Sequence, residues 1–171
     1  MIVLKNMNKN NFFFLFQKNN IICFFLAAAV FFLDRFSKYQ VINQQLNDGR
    51  IYINDYLNLD LTWNTGVAFG FLSSSSNIIY NSITLIIAFV IIILIYLIVV
   101  KKIIDKISFS LVLGGALGNF YDRSVYFAVP DFIDVHYKNF HWFTFNIADI
   151  FITIGIIMLI LKDLFNNKKN G

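Results

Sequence analysis

Residues 78–100, "IIYNSITLIIAFVIIILIYLIVV", contain no charged side chain. About 20 apolar residues in a helix match the hydrocarbon thickness of a bilayer. A helix also satisfies its own backbone polar groups where there is no water to do so. Three further apolar segments cover about 21–42, 103–121 and 145–162. The third and fourth segments are short as pure apolar runs, with polar residues at one end. The whole chain is 58% hydrophobic, far too apolar for a soluble domain of this length. The expected fold is membrane α-helical, a single domain over 1–171. It has four transmembrane helices and a small extracytoplasmic β-sheet cradle between helices 1 and 2.

The lysines orient these segments. Lys5, Lys9 and Lys18 precede the first, Lys101, Lys102 and Lys106 join the second to the third, and Lys162, Lys168 and Lys169 follow the fourth. The positive-inside rule then places both termini and the 2–3 loop in the cytoplasm. Residues 1–18 become a cytoplasmic N-terminal extension, and connections 43–77 and 122–144 face outward. Trp63 and Trp142 fall in those outer connections, where an interfacial aromatic belt belongs. The net charge of +4 is spent on membrane orientation, so no nucleic-acid partner is expected. A basic start, an apolar core and Ala27–Ala29 resemble a cleavable signal peptide. The apolar run continues through Leu33, however, which favours a retained helix. The single cysteine, Cys23, excludes an internal disulfide and a cysteine-based zinc site. His136 and His141 lie in a polar-aromatic loop and read as surface residues, so no metal or cofactor is expected.

The outer connection 43–77 contains "RIYINDYLNLDLTWN". Its apolar residues alternate through Ile51, Ile53, Leu57, Leu59, Leu61 and Trp63. That period of two predicts short strands, broken near Asn54-Asp55, with Gly66 and Gly70 as turn positions beyond. The strands are expected to lie as a small sheet on the outer membrane surface.

Polar residues recur at the outer ends of three apolar segments. Asn146, Asp149 and Thr153 stand at i, i+3 and i+7, on one helix face. Gly115, Gly118, Asn119 and Asp122 share a face of the third segment, with Arg123 adjacent, and the glycines allow close helix approach. Asp34 and Lys38 stand at i, i+4 in the first. Capping and local ion pairs explain each site separately. They explain three carboxylate-bearing ends at one membrane depth less well, because ionisable groups in a membrane mark functional sites. The only proline, Pro130, bends the 122–144 connection and puts Asp131 outside any continuous helix. Asp131 can therefore lie near the start of the fourth segment and meet Asp149. Two carboxylates around one water can share a proton, one acting as base and the other as acid. Asp134 is an equal rival on spacing. A proton- or ion-coupled small membrane transporter and a non-enzymatic membrane scaffold are the competing readings.

Five blocks in order give a further lead. "LDRFSK" at 33–38, "LTWNTGVAFGFL" at 61–72, "GGALGNFYDR" at 114–123, "VPDFID" at 129–134 and "FNIAD" at 145–149 resemble the motifs of lipoprotein signal peptidase, the bacterial signal peptidase II family of intramembrane aspartic proteases. The resemblance implies Asp131 and Asp149 as the catalytic pair, and so prefers Asp131 to Asp134. It implies that Asp34, Lys38, Asn64, Asn119, Asp122, Arg123 and Asn146 support the pair or contact substrate. It further implies an aspartic endopeptidase of the bacterial cytoplasmic (inner) membrane. Such an enzyme cleaves prolipoproteins just before a diacylglyceryl-modified cysteine, among membrane lipid, as a monomer and without a cofactor. The chain departs from the motifs at four positions. Arg35 stands where Gln is common, Val67 where Ala is frequent and Phe127 where Gly is usual, and Pro130 directly precedes the candidate aspartate.

Overall fold

The computed structural model describes residues 17–65 and 77–167, with backbone alone at 45–48, 77–79 and 167. The expectations for residues 1–16, Gly66, Val67, Gly70, Lys168 and Lys169 lie outside the described residues. In chain order the elements are α1 (Lys18–Asp48), β1 (Ile51–Asn54), β2 (Leu57–Asn64), α2 (Asn77–Val100), α3 (Ile103–Tyr126), β3 (Val129–Tyr137), β4 (Phe140–Phe145) and α4 (Ile147–Asn167).

Among the described residues, three helical stretches, Lys18–Gln44, Tyr80–Val100 and Ile103–Tyr126, are long and apolar enough to cross a membrane. Between Asp149 and Lys162, α4 has an uncharged stretch, 150–161, roughly 18 Å at the helical rise. That is shorter than a hydrocarbon core of about 30 Å. The burial pattern is inverted relative to a soluble bundle. Phe25, Leu85 and Phe89 on the helix surfaces are among the most exposed apolar side chains, while Asp34, Lys38 and Asp122 are fully buried. Such a surface suits a lipid solvent, and the polar groups turn inward to find partners. These features describe a multi-pass membrane protein.

Helix α3 is the hub and packs against α1, α2 and α4. Small residues make that possible. A Cβ at Gly114 would come within 2.6 Å of the Ala27 carbonyl oxygen on α1, and one at Gly115 within 2.5 Å of the Ala148 carbonyl oxygen on α4. Backbones approach this closely only where no side chain intervenes. Gly118 faces the Asp34 carboxylate in the same way, so the close approach expected on this face is present.

The sheet corrects one expectation. Strands β1 and β2 form within the connection 43–77, with the break at the anticipated place. There the Asn54 side-chain oxygen accepts the Tyr56 N–H at 2.9 Å, an Asx-type turn. The sheet does not end there, however. It is four-stranded and antiparallel in the order β1-β2-β3-β4, and β3 and β4 come from the connection between α3 and α4. A two-stranded hairpin alone is marginal in water, and β3 supplies the missing partner. The period-two signal of β3 is blurred because its two faces each carry an aspartate, Asp131 on one and Asp134 on the other.

Both unusual residues of the 126–131 stretch find a structural account. Phe127 follows α3 with φ at 56°, the left-handed conformation that most often ends a helix and that glycine takes without a steric penalty. Pro130 pairs with Trp63 of β2. Pairing of β3 with β4 begins only at Ile133. Proline's missing N–H thus falls where one side of the strand has no ladder to lose.

Phe127→Gly is expected to hold or raise the melting temperature in detergent. Phe127→Val should lower it by the equivalent of about 1–2 kcal/mol, because a β-branched residue is strained there. Equal melting temperatures for the two variants would refute the strain. Gly118→Ala should cost about 1–3 kcal/mol of stability by overpacking against Asp34, and an unchanged thermal transition would contradict that packing.

Candidate active site

The site is built where the N-terminus of α4, the C-terminal end of α3, the C-terminal half of α1 and the start of β3 converge. Asn146 precedes α4 and caps it. Its Oδ1 accepts the Asp149 N–H at 3.0 Å, while Asp149 Oδ2 accepts the Asn146 N–H at 3.2 Å. This reciprocal pair is a capping box, which satisfies two of the orphan donors at a helix start. Capping and a role in the site are therefore not alternatives for Asp149. The same carboxylate does both, since its other oxygen, Oδ1, accepts the Asn119 Nδ2–H at 2.9 Å.

Asp131 is 3% exposed on β3. Its Oδ1 accepts from Asn146 Nδ2 at 2.6 Å and its Oδ2 from Asn64 Nδ2, at the end of β2, at 3.0 Å. Asn146 thus donates to both carboxylates, to Asp131 through its side-chain NH₂ and to Asp149 through its backbone N–H. Burial pushes the Asp131 carboxyl up to about 6. The charge of Asp149 adds to the shift, while the hydrogen bonds from Asn64 and Asn146 and the charge of Lys38 hold it back.

Beneath the pair lies a buried ionic cluster. The Lys38 ammonium donates to Asp34 Oδ2 at 2.8 Å, to Asn119 Oδ1 at 2.9 Å and to Asp122 Oδ2 at 2.6 Å. All three of its donors are used. Lysine can only donate, so the Asn119 atom facing it is the oxygen, and the Asn119 NH₂ is left for Asp149. The same logic fixes Asn146, whose oxygen meets a backbone N–H and whose NH₂ turns to Asp131. Asp34 Oδ1 accepts the Ala148 N–H at 2.9 Å, which ties α1 to the first turn of α4.

Eight of the nine residues expected from sequence meet in this connected set: Asp34, Lys38, Asn64, Asn119, Asp122, Asp131, Asn146 and Asp149. Arg123 stands apart. It is 9% exposed, its guanidinium carbon lies 5.9 Å from the Tyr80 ring, and its backbone oxygen accepts the Tyr80 hydroxyl at 2.5 Å. Its Nε and Nη1 have no hydrogen-bond partner among the described residues. Asp134 belongs to a separate cluster. Three residues along the strand from Asp131, it points to the opposite face and accepts from Arg50 Nη2 at 2.6 Å, from Asn58 Nδ2 at 3.3 Å and from His141 Nδ1 at 2.9 Å. Burial works to raise the Asp134 carboxyl, but these donors outweigh it and hold it below the usual range. Sequence reasoning gave no role to Arg35, which pairs with Asp122. Its i, i+3 spacing from Lys38 was the available signal. Among the described residues, no group of three or more His, Cys, Asp or Glu side chains is placed to hold a metal ion.

Asp149 opens onto a cleft of about 280 Å³ lined by Phe143, Phe145, Ile150, Thr153 and Ile154. One carboxylate thus faces an otherwise mostly apolar groove beside α4. The arrangement holds two carboxylates in fixed orientation through the shared Asn146, and the cleft can admit an apolar chain to Asp149.

Comparison with known proteins identifies the family. Residues 26–165 match the family model described as Signal peptidase (SPase) II. The chain is 50% identical over 145 residues to a lipoprotein signal peptidase of Pelagibacter ubique, covering 83% of this chain and 87% of that one. It is 44% identical over 142 residues to a lipoprotein signal peptidase of Francisella tularensis subsp. novicida, covering 80% of this chain and 88% of that one. Its fold is similar to a bacterial membrane enzyme solved by the in meso method at 2.3 Å, with a TM-score of 0.73 and 30% identity over 88% of this chain and 92% of that one. The chain belongs to the signal peptidase II family.

Proposed function

We propose that this protein is a membrane aspartic endopeptidase that removes signal peptides from prolipoproteins, with Asp131 and Asp149 as its water-activating pair. The observation that carries the assignment of the pair is Asn146. One residue hydrogen-bonds both carboxylates and so holds them at a common site. Family membership supports the hydrolase chemistry and the prolipoprotein substrate.

In this reading Asp131 carries the shared proton. Asp149 takes a proton from water as the oxygen attacks the scissile carbonyl, and Asp131 gives its proton to the carbonyl oxygen. Collapse of the tetrahedral intermediate returns a proton to the leaving amine. Asn119, Asn64 and Asn146 orient the carboxylates, and Asp34, Lys38 and Asp122 hold Asn119. Arg123, with its unpartnered buried donors, is assigned to substrate backbone or to the adjoining loop.

The cleft beside α4 suits the apolar signal-peptide helix, with the acyl chains of a lipid-modified cysteine turned to lipid and the cut just before that cysteine. The positive loops support a bacterial inner-membrane location with both termini cytoplasmic. In that topology α4 is a fourth span, the sheet is extracytoplasmic and the working unit is one chain. The transporter alternative is not favoured, because the carboxylates of the site gather at one end of the bundle rather than along a path.

A prolipoprotein presented in detergent or bilayer tests the assignment. Asp131→Asn and Asp149→Asn should each lower kcat by about 10²–10⁴-fold, the usual worth of a general acid or base. Parental turnover in either variant would remove that residue from the pair, and proton flux in liposomes carrying the parent would favour the transporter. The active form holds one proton, and burial raises Asp131 to about 6. The kcat/KM profile should therefore fall as pH rises through an apparent pKa near that value, which belongs to the pair. Asn64→Ala removes a donor that stabilises the Asp131 anion, so this limb should move to higher pH. A stationary limb would contradict the contact.

A further inference from the structure

Arg35 sits one residue beyond Asp34 on α1. Its Nη1 pairs with Asp122 Oδ1, and its guanidinium carbon lies 4.5 Å from the Tyr121 ring centroid and 6.0 Å from that of Tyr126. The Arg35 side chain is only 16% exposed and that of Asp122 is fully buried. Asp122 therefore has a cation on each oxygen, Arg35 on Oδ1 and Lys38 on Oδ2.

The charges of this cluster balance only when Arg35 is included. Asp34 and Asp122 bring two negative charges and Lys38 one positive charge, and Arg35 closes the difference. Without it, a buried cluster one hydrogen bond from Asn119 would carry a net negative charge, and Asp122 Oδ1 would lose its ionic partner. Buried charge left uncompensated is costly and forces its neighbours to rearrange. Lys38 is the group that would move, since both carboxylates pull on it.

We propose that Arg35 is a positioning residue for the aspartate pair: it neutralises Asp122, so that Lys38 stays on Asn119 and Asn119 keeps its amide on Asp149. The inference rests on the reading of Asp131 and Asp149 as the water-activating pair. The other groups around that pair do not substitute for Arg35. From α1 there are Asp34 and Lys38, and from α3 Asp122 and Arg123, whose guanidinium is beside Tyr80 of α2. From β2 there is the uncharged Asn64, and on the far face of β3 there is Asp134, already held by Arg50 and His141. Tyr121 and Tyr126 fix the guanidinium plane by cation–π contact.

The test uses the full chain in bilayer with a prolipoprotein. Arg35→Gln should lower kcat about tenfold, equivalent to a loss of roughly 1.4 kcal/mol of transition-state stabilisation, with KM held within about twofold. The added negative field should also move the alkaline limb of the pH profile upward by about half a unit. Arg35→Lys restores the charge and should recover most of kcat and the parental limb. Tyr121→Leu keeps the charge count and should leave the limb in place. Parental kcat and limb in Arg35→Gln would overturn the proposal. If that variant does not fold, a limb displaced upward in Arg35→Lys would overturn it instead. Absence of cleavage by the parent would sink the peptidase reading and this inference with it, whereas parental behaviour of Arg35→Gln in a cleaving background overturns this inference alone.

Discussion

The buried ammonium group of Lys38 organises this molecule. Lys38 is fully buried, and desolvating a charge of that kind costs several kcal/mol unless every donor finds an acceptor. Its three acceptors sit on α1 and α3, and each is positioned by something else: Asp34 by the Ala148 N–H, Asn119 by Asn146 and Asp149, and Asp122 by Arg35. The docking of α1 on α3, the start of α4 and the direction of the Asn119 amide are thus conditions of one electrostatic balance. In lipid there is little hydrophobic drive to hold helices together, so packing and polar contacts must do it. The glycines of α3 bring the backbones close enough for short side chains to complete the network.

From that cluster the order passes outward by atom type rather than by distance. A donor-only lysine fixes an asparagine oxygen, which presents an NH₂ to Asp149. A donor-only backbone N–H fixes a second asparagine, which presents an NH₂ to Asp131. The two carboxylates are held by amides whose orientation is not free to flip. Preorganisation of this sort spares the reaction the reorientation that water would demand.

Much of the site was legible in the sequence because helices repeat. The stripes Asn146-Asp149-Thr153 and Gly115-Gly118-Asn119-Asp122, and the Asp34–Lys38 pair, are consequences of 3.6 residues per turn and needed no tertiary information. Strand β3 was opaque. Asp131 and Asp134 differ by alternation of faces, which matters only once the strand and its partners are known, and "DFID" offers no apolar period by which to find them. The motif resemblance separated them where spacing could not. The composition of the sheet was half visible, because β1 and β2 alternate while β3 and β4 are recruited from a distant connection. Arg35 escaped because an arginine beside an aspartate on a helix reads as a solvated charge. Only the burial of Asp122 gives it a purpose.

The capping box at Asn146 and Asp149 has a consequence for how this site tolerates change. Asp149 caps a helix through Oδ2 and takes the Asn119 amide through Oδ1, so a substitution there is penalised twice, once in the proposed chemistry and once in the anchoring of α4. Asp131 hangs from a strand whose ladder does not depend on its side chain, and a substitution there leaves no helix start uncapped. The two halves of a nominally symmetric pair therefore carry unequal mutational robustness. A substitution at Asp131 leaves its strand paired, whereas one at Asp149 loosens the first turn of α4.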